Sequence, residues 1–182
     1  LDACATRLNA AGSSLIWSTY LGGSGNDCSE DLAMQSTGEV TLSGYTVSNN
    51  FPVTPGAFDT TYNGAGPEGR GDCFVTRLNS SGSRLIWSTY LGGSQDERTP
   101  IGGVDASGAV TLACYTTSPD FPTTPGAYDT CYNGGNDGFV CRLNSTGSAL
   151  VWSTFLGTPG GDLCSEAAVQ ANGAVSVCGY TN

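Results

Sequence analysis

The chain has no histidine and no lysine among its 182 residues. Without histidine there is no Ser-His-Asp or Cys-His nucleophile system and no imidazole metal site. Without lysine there is no Walker lysine and no Schiff-base residue. All six cationic side chains are arginines and face sixteen carboxylates, for a formal charge of −10. Phosphate neutralisation needs a basic surface, so no nucleic-acid partner is expected. Only 12% of residues are charged. No apolar run approaches the roughly 18 residues of a membrane-spanning helix, so no membrane span is expected.

What is abundant points to strands and turns. Glycine numbers 27 and cysteine 8, and serine and threonine recur throughout. These are poor helix formers, whereas threonine and the recurring aromatics suit strands. The cysteines are even in number, lack any CxxC pair and have no histidine beside them, which favours disulfides in a secreted or cell-surface protein. The chain starts at Leu1, as a processed mature chain or a piece of a longer one would. Asn79-Ser80-Ser81 and Asn144-Ser145-Thr146 are glycosylation sequons, which make Asn79 and Asn144 candidate acceptors.

The organisation is set by an internal repeat. Leu8 to Gly23 returns as Leu78 to Gly93 and as Leu143 to Gly157, with Trp17, Trp87 and Trp152 in equivalent places. A second block, Thr37 to Thr46, returns as Ser107 to Thr116 and Asn172 to Thr181. A third, Phe51 to Asn63, returns once as Phe121 to Asn133. Runs of five to seven residues alternate between polar and apolar and are separated by Gly/Ser/Asn turns, the signature of strands. In the middle repeat they are Cys73–Asn79, Leu85–Leu91, Ile101–Asp105 and Val110–Thr116. The outer copies add Ala3–Asn9, Leu15–Leu21, Phe139–Asn144, Leu150–Leu156, Ala167–Ala171 and Val175–Thr181. Four-stranded antiparallel units at this interval predict an all-β fold of propeller blades.

The blocks Asp72-Cys-Phe-Val-Thr-Arg-Leu-Asn79, Leu85-Ile-Trp-Ser-Thr-Tyr-Leu-Gly-Gly93, Val104-Asp-Ala-Ser-Gly-Ala-Val110 and Phe121-Pro-Thr-Thr-Pro-Gly-Ala-Tyr128 resemble the bacterial SBBP repeat. The likeness runs over essentially the whole chain. It implies a β-propeller and an extracellular setting in a large surface or secreted protein. It implies no catalytic residues, and the abundant cysteine departs from its pattern.

Divided this way, one domain of residues 1–182 holds blade A at 30–92 and blade B at 98–157. A third blade is split between 164–182 and 1–22. Three blades fall short of the usual four to eight. The C-terminal inner strands of one copy would complement the N-terminal outer strands of another, giving a ring if the rotation closes and a filament otherwise. A homo-oligomer or filament through the terminal strands is therefore the expected partner state.

Eight cysteines allow 105 connectivities. The repeat suggests Cys114 with Cys141, and Cys4 with Cys178 across the split blade, although the two registers conflict. Cys28 with Cys73 and Cys131 with Cys164 are the loop-side candidates. Acidic residues gather between blades: Asp27, Glu30 and Asp31; Asp96 and Glu97; Asp162 and Glu166. No cofactor is expected. Calcium is the one ion they would suit, against the plainer reading of solvated loops. Arg7, Arg77 and Arg142 read as framework residues bonding Asp2, Asp72 or Asp137, and the tryptophans as packing between blades. Arg70-Gly71-Asp72 spells an integrin-type tripeptide. The expected function is non-enzymatic and structural, with head-to-tail self-assembly. The alternative is a carbohydrate- or protein-binding module of a larger surface protein, with a glycan or surface protein as ligand.

Overall fold

The computed structural model of the chain describes residues 1–98, 101–170 and 172–182, and the backbone but not the side chain of Ile101. Positions 99 and 100, inside the expected 98–157 unit, and Ala171, the end of one expected strand, lie outside the described residues. The fold is all-β. Twelve strands and no helix are found among the described residues. They are β1 (Ala3–Leu8), β2 (Leu15–Leu21), β3 (Asp27–Met34), β4 (Val40–Thr46), β5 (Asp72–Leu78), β6 (Leu85–Leu91), β7 (Ile101–Val104), β8 (Val110–Thr116), β9 (Asp137–Leu143), β10 (Leu150–Leu156), β11 (Leu163–Val169) and β12 (Val175–Tyr180).

They form four antiparallel sheets. Sheet I has the order β3-β4-β5-β6 and sheet II the order β7-β8-β9-β10. β1 and β2 form an N-terminal pair, and β11 and β12 a C-terminal pair. By the repeat, β1 and β2 match the third and fourth strands of a sheet, and β11 and β12 the first and second. Bulges recur with the sequence: β1–β2 slips after Arg7 and β5–β6 after Arg77. Likewise β3–β4 slips after Ser29 and β11–β12 after Cys164.

Turn chemistry explains the connections. Asn9, Asn79 and Asn144 each use the side-chain oxygen to accept the N–H of the serine four residues on. In the same turns Gly12, Gly82 and Gly147 take φ near 65°, a left-handed conformation that glycine adopts without strain. These asparagines therefore close turns, and Asn9 does so without a sequon.

Three apolar clusters lie between sheets. Val40, Leu42, Phe74 and Tyr90 pack with Ala3, Ala5 and Leu21 between the N-terminal pair and sheet I. Val75, Trp87, Leu91, Leu112, Phe139 and Phe155 belong to the cluster that joins sheets I and II. Ala113, Val140 and Cys164 hold the C-terminal pair on sheet II, with Val175 and Val177 against them. The alternation of Cys73–Asn79 predicts one inward face, but β5 and β8 are buried along their whole length. Both faces are covered because each central sheet lies between two others. β11 also begins earlier than the expected Ala167, because the bulge at Cys164–Glu166 breaks its period of two.

Candidate functional site

The cysteines do not hold the fold together: all eight are free thiols. Strand order explains why. Tyr45 is the register partner of Cys28 on one side and of Cys73 on the other. The two Cα atoms are thus two strands apart, roughly 9–10 Å, beyond disulfide reach. Cys141 opposes Leu112, while Cys114 opposes Phe139. That diagonal of about 7–8 Å is also too long. Cys131 is exposed, whereas Cys164 is buried with its sulfur against Gly138. Cys4 and Cys178 are exposed on separate sheets. Burial pushes the Cys114 thiol up to about 12, so it stays protonated and unreactive.

The acidic residues are consumed by the backbone. Asp27 accepts the Gly23 N–H and the hydroxyls of Thr46 and Ser48. Asp96 accepts three N–H groups, from Glu68, Arg70 and Gly71, at 2.7 to 3.1 Å. Glu97 accepts the Gly93 N–H and the Thr116 hydroxyl. Asp162 accepts the N–H and hydroxyl of Thr158. Glu30, Asp31 and Glu166 lie instead within strands β3 and β11. No group of three His, Cys, Asp or Glu able to hold a metal occurs among the described residues. Burial raises Glu97 to about 8 and Asp72 to about 7, each helped by nearby carboxylates and opposed by the bonds it accepts. Asp72 is fully buried, so Arg70-Gly71-Asp72 does not present its carboxylate to a partner.

Arg7, Arg77, Trp17 and Trp87 bridge sheets, and the arginines do so with partners other than those expected. Asp72 accepts the Asn63 N–H. Arg77 instead donates to the Thr41 hydroxyl in its own sheet and to the carbonyls of Gly108 and Ser145 in sheet II. Its guanidinium also lies over Trp87, 5.0 Å from the ring centre. Trp87 Nε1 donates to the same Ser145 carbonyl at 3.0 Å. Trp17 repeats this one sheet earlier, donating to the Ser80 carbonyl at 3.1 Å, and Arg7 points to it as well. Arg142 pairs with Asp105.

A sizeable concavity lies where this pattern is incomplete. A groove of about 380 Å³ runs between β1 and the β3–β4 hairpin, lined by Cys4, Arg7, Leu32, Met34, Val40 and Leu42 among others. The equivalent positions of sheet II are Gly102, Val104, Val110 and Leu112, and there the gap shrinks to about 10 Å³. It is closed by Asp31, Leu32, Ala33, Thr41 and Ser43 from sheet I. The N-terminal pair has no strands in the places that β3 and β4 take in sheet I. Among the described residues, β1 pairs only with β2 and β12 only with β11, so each has one edge without a strand partner.

No helix among the described residues is long and apolar enough to cross a membrane. Compared with known proteins, the chain matches no family model and no curated protein.

Proposed function

We propose that the chain is a non-enzymatic, extracellular structural subunit whose sheets are propeller blades of the SBBP-repeat type. Copies join head to tail, the C-terminal pair of one completing the N-terminal pair of the next, into a closed ring or a filament. The observation that carries this reading is the pair of unpartnered edges. β4 pairs β5 over seven registered positions from Val40↔Leu78 to Thr46↔Asp72, and β8 pairs β9 in the same register. Carried to β12 and β1 of a second copy, that register sets Val175 against Leu8, Ser176 against Arg7 and Gly179 against Cys4. The groove beside β1 then receives Glu166 to Ala168, the counterparts of Asp31 to Ala33 that close the gap in sheet II.

The register also sets Cys178 opposite Ala5, so Cys4 and Cys178 fall on opposite faces and make no bond between copies. Strand pairing and packing hold the joint. A binding-module role finds less support. The Phe51–Asn63 and Phe121–Asn133 loops bond along β6 and β10, with Thr54 and Thr124 exchanging bonds with Ser88 and Ser153. The Thr54 and Thr124 groups are thereby engaged within the chain.

Sedimentation velocity over a hundredfold range of concentration, with electron microscopy of the same samples, tests the proposal. Species larger than one chain, growing with concentration, are expected. A single species of 18.5 kDa throughout would overturn it.

A further inference from the structure

The outer turns carry a second recurring contact, separate from the strand edges. Gly82 and Gly147 each sit under a tryptophan of the preceding sheet. A Cβ at Gly82 would stand 2.5 Å from Trp17, and one at Gly147 would stand 2.3 Å from Trp87. Neither distance is tolerable, so these glycines are sockets for the indole rings. The carbonyl two residues before each, Ser80 or Ser145, accepts the indole N–H. Two seams in one chain therefore use the same lock.

The third set of parts is present but unmatched. Gly12 has the same positive φ, of 65°, and nothing lies within 4 Å of where its Cβ would be. It is exposed, whereas Gly82 and Gly147 are buried. At the other end, Trp152 is half-buried on sheet II, and its Nε1 has no acceptor among the described residues. Gly173 shows the same vacancy. A Cβ at its counterpart Gly108 would meet Gln35, Arg77 and Ser145, while one at Gly173 would meet nothing within 4 Å.

We infer that Trp152 of one copy seats on the Gly12 turn of a second copy and donates its indole N–H to the Ala10 carbonyl there. Arg142 reaches the same carbonyl, as Arg77 reaches Ser145. The occupant of the Gly12 turn is thus a second copy of this chain, recognised by one aromatic side chain. This contact rests on the head-to-tail reading and adds to it an outer lock that strand pairing alone does not require.

The test is Gly12→Asn. Asparagine tolerates the left-handed conformation, and in a single chain its side chain meets empty space, so the thermal midpoint of the dilute protein should stay within a few degrees of the parent. Self-association should weaken about tenfold or more, because the new Cβ occupies the place of the ring. Trp152→Phe, which removes the indole N–H together with part of the ring that would fill the socket, should weaken association by about tenfold. Gly82→Asn is the internal comparison and should unfold at lower temperature, since Trp17 of the same chain fills that socket. If the parent associates and Gly12→Asn and Trp152→Phe associate equally tightly, the lock is wrong while head-to-tail assembly stands. If the parent never associates, both fail.

Discussion

The two central sheets and the two terminal pairs are written in nearly the same sequence but live in different surroundings. β8 is buried along its length and β4 nearly so, whereas β12, with the same Val-x-x-x-x-Tyr-Thr frame over 175–181, is mostly exposed. β5 is buried throughout, and β1, its counterpart, alternates. Burial here is conferred by neighbours rather than by a strand's own residues. We read a strand that has an interior sequence but stands at the surface as one whose neighbour a second copy would supply. That contrast carries the assembly proposal, and each prediction below compares an interior position with its terminal equivalent.

The largest difference is expected at the aromatic core. Phe139 is fully buried and stacks near Phe121, with ring centres 4.3 Å apart. Phe139→Ala should cost about 3–5 kcal/mol in denaturant unfolding. Its counterpart Cys4 is exposed, and Cys4→Ala should change stability by less than about 0.5 kcal/mol. Equal losses at both sites would break the comparison.

A smaller difference is expected at the arginines. Arg77→Met removes three donors, taking the guanidinium from the Gly108 carbonyl and the Thr41 hydroxyl while the Ser145 carbonyl keeps Trp87. A loss of about 2–3 kcal/mol is expected by the same measurement. Arg7 keeps one long bond to the Ser80 carbonyl, and Arg7→Met should cost under about 1 kcal/mol in the dilute protein. Under conditions of assembly the gap between the two should narrow, because Ser176 of a second copy then stands where Thr41 stands for Arg77.

The pH response sharpens the contrast further. Glu97 is raised by burial to about 8, so the native chain holds a proton that the unfolded chain has released above its ordinary 4.5. Stability therefore falls as pH rises between these values and levels off above the upper one. Glu97→Gln should flatten that slope, by an amount on the order of 1–3 kcal/mol across the window. Asp162 is the counterpart of Glu97 at the C-terminal pair; burial raises it, but the bonds it accepts from Thr158 lower it below the ordinary carboxylate range, so Asp162→Asn should remove a dependence of opposite sign, stability lost as pH falls through that range. Thermal unfolding from acid to mildly basic pH reads both.

Much of this was legible in the sequence. The strands follow from alternation between Gly/Ser/Asn turns, and nearly all begin and end within two residues of where the pattern places them. The role of Trp17 and Trp87 between sheets also follows from their repeat. Other features depend on three dimensions. The expected Cys28–Cys73 pair fails because Tyr45's strand runs between the two residues, an order that spacing does not reveal. The Arg77 partners are turn carbonyls of the next sheet, and backbone acceptors leave no mark in the sequence. The empty Gly12 turn has a sequence like that of Gly82 and Gly147. Only the contacts at the other two distinguish them from it.

Hydrogen exchange as a function of protein concentration tests the central claim most directly. Amides of β4, β5, β8 and β9 are paired on both sides and should exchange slowly at every concentration. Amides on the free edges of β1 and β12 should exchange fast in dilute solution and become protected together as concentration rises. Protection of both edges over the same concentration range is the predicted result. Edges that stay fast while larger species form, or that are already protected in the single chain, would contradict the account.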